Sequence, residues 1–412
     1  MFGDKTKLSS IFRSLHHRNF FLFFSGQGIS LIGTWMQRIA MSWLVYRMTN
    51  SAFLLGFVGF ASQFPIFVIA PLAGVLADHL NRRRILLITQ ALAMIQAFLL
   101  AFLVFTDKIE IWQVILLGAL LGIVNAFDTP VRQSFVIDMV ENKADLGNAI
   151  ALNSSLVNAA RLLGPSIAGI LISLVGEGMC FLFNGVSYLA VILALLAMNI
   201  PLEKATQQSS DSIWDNLREG ISYAFNSPPI RSILLLVALI SLTGTSATVL
   251  MPVFAIQVLH GGPHTLGFLM ASTGVGALFG AFFLASRPTA AGLGRWIFLA
   301  AGIFGIGLIT FALTRLFAIS IIVLIFTGFG MMVQMAASNT VLQLIVEDDK
   351  RGRVMSLYTM SFIGMSPFGS LLAGSLAYVL GPVNTLIIGG LCCITGSLLY
   401  AFYYRQPRFK KL

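Results

Sequence analysis

An acidic and a basic residue stand four positions apart inside a long apolar segment of the chain. The segment reads IWQVILLGALLGIVNAFDTPVRQSF and contains Asp128 and Arg132. On a helix, residues i and i+4 lie on the same face, so these two side chains can form an ion pair. Two roles stay open for Asp128, which is the acidic residue deepest inside any apolar segment. It either takes up and releases a proton and thereby frees Arg132, or it forms a permanent structural pair.

Two further arginines lie inside apolar segments, and neither has an obvious acidic residue at its depth. Arg38 and Arg161 each belong to a helix face on which polar residues recur every three or four positions. Charges at membrane depth usually face water or a partner, so these faces predict the lining of a polar cavity. The arginines either attract an anionic or carboxylate-bearing group, or they bind neighbouring carbonyls and Asp128. The predicted cavity residues are Gln27, Thr34, Arg38, Asn125, Asn158 and Arg161.

The apolar segments that carry these residues dominate the chain. Of its 412 residues, 57% are hydrophobic and only 10% are charged, whereas a soluble domain carries about 25% charged residues. Runs near the ~20 residues that a helix needs to cross a bilayer recur along the whole sequence. The pattern predicts an all-α integral membrane protein with twelve transmembrane helices, at 19–45, 52–77, 85–105, 111–139, 146–175, 179–200, 231–258, 265–286, 296–314, 317–345, 354–380 and 383–404.

The basic residues are distributed unevenly between the predicted loops. Most of the 26 Lys and Arg residues fall on one side of the helices or in the terminal segments, and only Arg47, Lys108 and Arg315 fall on the other side. Cytoplasmic loops carry such an excess of positive charge. The distribution therefore predicts that both termini are cytoplasmic, and the net charge of +10 does not indicate nucleic-acid binding.

The longest polar stretch lies in the middle of the chain, from Pro201 to Pro229. It separates six predicted helices from the next six. The predicted domains are an N-terminal six-helix bundle at 1–200, a cytoplasmic linker at 201–230 and a C-terminal six-helix bundle at 231–412.

The two halves echo each other in sequence. DLGNAIALN after the fourth predicted helix and KRGRVMSLY after the tenth align Gly147 with Gly352 and Leu152 with Leu357. Both pairs are separated by 205 residues, the difference between 352 and 147. Two like-oriented halves predict a pseudo-symmetric transporter whose site lies between them.

Cysteine and histidine patterns give no sign of enzyme chemistry. Cys180, Cys392 and Cys393 lie in apolar runs without metal-ligand spacing, and the five histidines lie in or near predicted loops. The sequence contains no Walker A, HExxH or GxSxG motif. We therefore expect no metal, no cofactor and no enzymatic activity.

The loop after the second predicted helix carries a family signature. It reads GVLADHLNRRR and resembles the Gly-x-Leu-Ala-Asp-x-x-Gly-Arg-Arg loop of the major facilitator superfamily, in which Asn here replaces the second Gly. The resemblance implies a cytoplasmic latch that involves a helix end of the other half. It also implies that an arginine of the loop pairs with an acid on the fourth helix. The latch residues so implied are Gly74, Asp78, Arg82, Arg83 and Asp138.

A narrower resemblance covers residues 128–169. DTPVRQ and GNAIALNSSLVNAARLLGPSIAG are similar to the branch of the superfamily that contains enterobactin exporters and macrolide-efflux proteins. Within this stretch, LLGPSIAG resembles the antiporter Gly-Pro motif of the fifth helix, at Gly164, Pro165 and Gly169, with Ala168 in place of one Gly. The motif implies export by exchange.

The residues and the resemblance together predict a secondary transporter of a bacterial inner (plasma) membrane. It would work by alternating access and export an amphipathic small molecule, such as a siderophore or a drug, in exchange for protons. Asp128 and Arg132 would couple the proton to transport. The partners would be the lipid bilayer, the substrate and protons, and the protein would be a monomer. The alternatives are a lipid or lysolipid mover or an importer of the same fold, and a non-transporting membrane sensor.

Overall fold

All regular structure in the described part of the chain is helical. The structure is a computed structural model, and it describes residues 13–79, 81–140, 142–199, 213–287, 289 and 291–404. These residues contain no strand. This is the expected result where water is absent, because a helix satisfies its own backbone hydrogen bonds.

Fourteen α-helices follow one another along the described residues. They are α1 (Arg18–Thr49), α2 (Ala52–His79), α3 (Arg82–Phe105), α4 (Ile111–Asp138), α5 (Leu146–Val175), α6 (Glu177–Ala197), α7 (Ile213–Asn226), α8 (Pro228–Val253), α9 (Pro263–Ala285), α10 (Leu293–Leu313), α11 (Phe317–Ile345), α12 (Arg351–Thr359), α13 (Ser366–Leu380) and α14 (Pro382–Tyr404). Short 3₁₀ turns precede α1 and α5, at Arg13–His16 and Lys143–Asp145. Two π-helical segments extend α8 and join α12 to α13, at Phe254–Val258 and Met360–Gly364.

Eleven helical segments of the described residues are long and apolar enough to cross a membrane, when α12 and α13 are counted as one. Helix α1 is not among them, although it has 32 residues. Its polar residues lower its mean hydropathy, but Gln27 and Gln37 are only 3% and 2% exposed. Polar side chains packed inside the protein need no contact with lipid. Helix α1 is therefore long enough to be the predicted first span, and these polar side chains are buried within the protein.

The described residues divide into two compact units. Unit 1 is drawn from Met1–Leu44 and Ala61–Gln208, and unit 2 from Val45–Phe60 and Ser209–Leu412. The beginning of α2 thus groups with unit 2, where the rings of Phe60 and Phe368 lie 6.2 Å apart. The predicted boundaries at 200 and 230 stay a prediction, and residues 201–212 of that linker lie outside the described residues.

Buried amides join four helices of unit 1. Gln37 Nε2 of α1 donates to Gln96 Oε1 of α3 at 2.9 Å, and Asn184 Nδ2 of α6 donates to Gln37 Oε1 at 2.8 Å. Gln96 Nε2 donates in turn to the Leu117 carbonyl of α4 at 3.2 Å. Such side-chain hydrogen bonds help to hold helices together in a membrane, where burial of apolar surface does not drive association.

Close backbone contact joins the helices of unit 2. A Cβ atom added to Gly276 of α9 would lie 1.9 Å from the Ile325 carbonyl oxygen of α11, and one added to Gly328 would lie 2.0 Å from the Thr273 carbonyl oxygen. Only glycine permits this approach, as in other small-residue helix contacts of membrane proteins. The glycine-rich stretch at 274–280 is therefore a packing surface.

The two units repeat the same helix order at a nearly constant separation. Helix α5 spans 30 residues, and α12 with its π segment and α13 spans another 30. The two segments begin at Leu146 and Arg351 and end at Val175 and Leu380, a separation of 205 residues at both ends. Each position of unit 1 near this segment can therefore be compared with a position of unit 2.

Candidate functional site

Asp128 and Arg132 form a charge pair on α4. Arg132 Nε lies 3.1 Å from Asp128 Oδ2, and the two side chains are 18% and 7% exposed. Arg132 Nε nevertheless makes no hydrogen bond, because its N–H is not aimed at the carboxylate. The contact is therefore a buried charge pair without a hydrogen bond through Nε.

Helix α3 supplies the hydrogen bonds that Arg132 Nε does not make. Thr89 Oγ1 donates to Asp128 Oδ1 at 3.0 Å, and Gln90 Nε2 donates to the same oxygen at 2.7 Å. The other side-chain atom of Gln90, Oε1, is buried and has no hydrogen-bond partner. Asp128 thus accepts a hydrogen bond from Gln90 Nε2, while Oε1 of the same amide is an acceptor without a donor.

A second charged cluster lies where α1 meets α5. The guanidinium carbon of Arg38 lies 4.5 Å from the centroid of the Trp35 ring, and that of Arg161 lies 5.8 Å from it. Within the described residues, no carboxylate pairs with either arginine. Two cations therefore share one aromatic ring, which attracts both through its negative face.

A glycine explains why the two helices can build this cluster. A Cβ atom added to Gly164 of α5 would lie 2.4 Å from Trp35 Cβ and 3.1 Å from the Ile32 carbonyl oxygen. Because Gly164 has no side chain, α5 can approach the backbone of α1 closely at Ile32 and Trp35. Arg161 precedes Gly164 by three residues and therefore lies on the same helix face. Pro165 and Gly169, the other residues of the motif, are buried in α5.

The remaining predicted cavity residues do not join the arginine cluster through hydrogen bonds. Thr34 Oγ1 donates to the Ser30 carbonyl at 2.9 Å, and Asn158 Nδ2 donates to the Ser154 carbonyl at 3.0 Å, each within its own helix. Gln27 is buried, and its Oε1 has no hydrogen-bond partner. Asn125 is half-buried on α4.

The structure brings together two of the residues assigned to the cytoplasmic latch. Arg82 Nη1 donates to Asp138 Oδ1 at 3.0 Å and to Oδ2 at 3.1 Å, which ties the beginning of α3 to the end of α4. Arg83 Nη2 donates to the Leu196 carbonyl at 3.0 Å. Gly74 and Asp78 belong to α2, but the side chains at 70–79 lie outside the described residues.

Sequence reasoning missed three residues of these clusters. Thr89 and Gln90 lie on a different helix from Asp128, and no spacing in one helix could indicate them. Trp35 could have been found, because it precedes Arg38 by three residues and so shares its helix face. A tryptophan one turn from an arginine within an apolar segment is a usable signal for a cation–π contact.

Eleven apolar spans, a polar first helix and charged groups gathered inside the helices define a membrane transporter. The chain belongs to the transmembrane secretion effector family of the major facilitator superfamily, whose sequence pattern matches residues 9–411. This confirms the predicted superfamily and the all-helical twelve-helix fold class. The protein is therefore a multi-pass membrane transporter and not an enzyme.

The relatives of this chain include efflux and siderophore transporters. The staphyloferrin A transporter of Staphylococcus aureus is 29% identical over 391 residues, which cover 94% of this chain and 97% of the relative. Macrolide efflux protein A of Streptococcus pyogenes is 21% identical over 378 residues, which cover 90% of this chain and 92% of the relative. The predicted resemblance to siderophore-exporter and macrolide-efflux proteins is thereby confirmed, and such bacterial relatives imply a plasma-membrane location.

A solved structure supports the fold independently. The inward-facing, unoccupied form of a bacterial homologue of the human lysosomal transporter Spinster matches with a TM-score of 0.69 and 16% sequence identity. The match covers 96% of this chain and 98% of that structure. At this identity the likeness concerns the fold alone.

Proposed function

We propose that this protein exports an amphipathic small molecule, of the siderophore or drug type, in exchange for protons that enter the cell. It would do so as a monomer with both termini in the cytoplasm. The named relatives support the substrate type, and the excess of basic residues in one set of loops supports the orientation. The proton coupling rests on one observation, the surroundings of Asp128.

The ionised form of Asp128 is well accommodated in this conformation. Two hydrogen bonds, from Thr89 and Gln90, reach one carboxylate oxygen, and Arg132 lies against the other. Hydrogen bonds and an opposite charge both favour the charged form of an acid. The charged and titratable groups that interact with Asp128 are Arg132 on its own helix and Tyr188 on α6.

The protonated form of Asp128 can be accommodated by the same residues. A neutral carboxylic acid needs an acceptor for its O–H, and Gln90 Oε1 is a buried acceptor without a partner. Rotation of the Gln90 amide by half a turn presents this oxygen to Asp128. The same amide can therefore hydrogen-bond Asp128 in either protonation state, through Nε2 to the carboxylate or through Oε1 to the carboxylic acid.

Loss of the charge on Asp128 affects Arg132 directly. A buried cation that loses its partner is unfavourable, so Arg132 must move toward water or another negative group. Its contact with Asp128 lacks a hydrogen bond through Nε, which makes this movement easier. Proton uptake by Asp128 and the position of Arg132 are therefore linked, and such a linkage can exchange a proton for a substrate.

The test uses inverted membrane vesicles with an acidic interior, so that protons leave the vesicle as substrate enters it. Uptake of staphyloferrin A, a macrolide and hydrophobic drugs is compared for the wild type, Asp128→Asn and the control Asp107→Asn. Asp107 is an exposed acid in a loop with a φ of 53°, a conformation that Asn tolerates. We expect uptake that an uncoupler abolishes, that Asp128→Asn loses and that Asp107→Asn keeps.

Other outcomes would reassign the function. Gradient-driven uptake that Asp128→Asn retains would make the Asp128–Arg132 pair structural. Transport seen only in right-side-out vesicles would show an importer, and transport of lysolipid alone would show a lipid mover.

A further inference from the structure

The arginine cluster of Trp35, Arg38 and Arg161 has no evident role in holding the helices together. Close contact of α1 with α5 at Gly164 has a counterpart in unit 2, where a Cβ atom on Gly369 would lie 2.4 Å from the Leu242 carbonyl oxygen of α8. Gly369 follows Gly164 by the same 205 residues that separate the two segments. The same type of close helix contact therefore occurs twice in the molecule.

The second contact contains no charged residue. Helix α8 has no Lys, Arg, Asp or Glu after Arg231, and α13 has none at all. Ser366 stands at the position that corresponds to Arg161. Because the helices of unit 2 pack closely without a charge, packing does not require the two arginines of unit 1. Two like charges near each other also repel, so they need a compensating partner.

The described part of the chain supplies no negative partner for the two arginines. Among the described residues, neither Arg38 nor Arg161 has an acidic partner, and Asp128 is already engaged with Thr89, Gln90 and Arg132. Arg38 is exposed and Arg161 is half-buried, so both remain accessible to a ligand. The ring of Trp35 limits the freedom of both side chains, which favours binding because less conformational entropy is lost.

We propose that Trp35, Arg38 and Arg161 bind the carboxylate groups of a polyanionic substrate. This inference rests on the proposed transport function and names the substrate class. The guanidinium group presents paired N–H donors that match a carboxylate, and two such groups match a substrate with several carboxylates.

A lipid phosphate shares the chemistry that the arginines recognise, but the depth of the cluster favours a solute. Arg38 lies eleven residues before the end of α1 at Thr49, which is roughly 16 Å along the helix. Arg161 lies near the middle of α5, between Leu146 and Val175. Lipid headgroups lie at the membrane surface, whereas a dissolved carboxylate can enter a polar cavity.

The test measures binding to the purified full-length protein in phosphatidylcholine nanodiscs. The probe is propane-1,2,3-tricarboxylate, and its trimethyl ester has the same carbon skeleton without charge. Calorimetry compares the wild type with Arg38→Gln, Arg161→Gln and the control Arg47→Gln, an exposed arginine of the same helix. We expect the wild type to bind the acid and not the ester. Each cluster variant should weaken binding by about tenfold or more, as is typical for hydrogen bonds to charged groups.

Three results would overturn the inference. They are equal binding of acid and ester, undiminished binding in both cluster variants, and an equal loss in Arg47→Gln. If a variant does not fold, the wild type and Trp35→Phe provide a second readout, because the tricarboxylate should quench tryptophan fluorescence only where Trp35 is present. Suppression of acid binding by phosphatidylglycerol in the nanodisc would assign the cluster to a lipid headgroup and would also contradict the inference.

Binding and proton coupling can fail separately. The binding measurement uses no gradient, and Asp128→Asn should retain the tricarboxylate. Binding of the tricarboxylate without gradient-driven uptake in the wild type would contradict proton-driven export and still support carboxylate binding by the arginine cluster. Proton-driven uptake without selective binding of the acid would support export and contradict carboxylate binding by the cluster.

Discussion

The two units of this transporter are built alike, but they differ in the chemistry of their interiors. Unit 1 has Asp128 and Arg132 on α4. Helix α11 begins 206 residues after α4, and the positions 206 residues later are Gln334 and Ser338, both fully buried, where Gln334 Nε2 donates to Ser338 Oγ at 3.1 Å. The same helix position therefore packs with an uncharged polar pair, and the charges of unit 1 are additions to the scaffold, as is expected of functional groups in a membrane protein.

A second pair of regions keeps the same geometry with different residues. At the beginning of α5, Ser14 Oγ donates to Asn148 Oδ1 at 2.7 Å, and Asp145 forms an ion pair with Arg13. The residues 205 positions after Ser14, Asn148 and Asp145 are Glu219, Arg353 and Lys350. They also meet, because Glu219 of α7 pairs with Arg353 at 2.8 Å and with Lys350. We call these two groups of contacts the tethers of unit 1 and unit 2. In unit 1 the acid, Asp145, stands at the beginning of α5, whereas in unit 2 the acid, Glu219, stands on the preceding helix α7.

The strongest test of the comparison concerns the buried pair. Arg132→Ala leaves Asp128 buried without its counter-charge, and we expect a loss of about 3–5 kcal/mol in the free energy of unfolding. The double variant Asp128→Gln, Arg132→Ser copies the hydrogen-bonded pair Gln334 and Ser338 of unit 2 and should regain most of this loss while proton-driven transport stays absent. Thermal unfolding in detergent and vesicle uptake measure the two effects. A double variant as unstable as the single one would show that unit 1 needs the charges to fold.

The next prediction concerns the residue that distinguishes the Asp128 site from a simple ion pair. Gln90→Met removes one hydrogen bond to Asp128 and the buried acceptor that the protonated acid would use, so proton-driven uptake into inverted vesicles should fall by about tenfold. Gln96→Met, on the same helix, removes a buried amide that contacts Gln37 and not Asp128, and its uptake should stay near the wild-type rate. An equal loss in both variants would count against a specific role for Gln90.

The two glycine contacts allow a matched comparison of smaller effect. Gly164→Ala and Gly369→Ala each force a helix away from a backbone, and each should lower the free energy of unfolding by about 1–3 kcal/mol. Only Gly164→Ala should also weaken tricarboxylate binding, because it moves Arg161 away from Trp35. Calorimetry in nanodiscs measures this difference. Equal effects of the two variants on binding would contradict the claim that Gly164 positions Arg161 beside Trp35.

The smallest effect is expected at the tether of unit 2. The hydrogen bond from Lys350 lowers the pKa of Glu219, so the stabilisation that Glu219 contributes is fully present above the usual titration range of a glutamate. It declines as the pH falls below the usual pKa of a glutamate and is lost once the pH has fallen through the lowered value. Hydrogen exchange of the α7 amides should therefore accelerate below that range, and Glu219→Gln should exchange rapidly at every pH. The exposed Glu347→Gln serves as the control. Slow exchange in Glu219→Gln would contradict a stabilising role of Glu219 at α7.

The helices could be predicted from the sequence because length and apolarity determine them. The predicted spans 146–175 and 317–345 coincide with α5 and α11. The predicted span 354–380 is interrupted by the π segment at Met360–Gly364, which hydropathy does not register. Local backbone geometry of this kind depends on packing against neighbouring helices.

The site could be predicted only in part. The pairing of Asp128 with Arg132 follows from spacing within one helix. The contributions of Thr89 and Gln90, and the meeting of Arg38 with Arg161 over Trp35, depend on how neighbouring helices are rotated against each other. Rotation is fixed by side-chain packing between segments that are distant in sequence. A single sequence indicates which residues are polar, but not which of them meet.

Infrared difference spectroscopy of the purified protein can show whether Asp128 takes up a proton in the membrane. Acidification should produce a C=O stretching band of a buried carboxylic acid. We predict that Asp128→Asn lacks this band and that Asp107→Asn leaves it unchanged. A band that persists in Asp128→Asn, or no band in the wild type over the pH range of transport, would contradict the account.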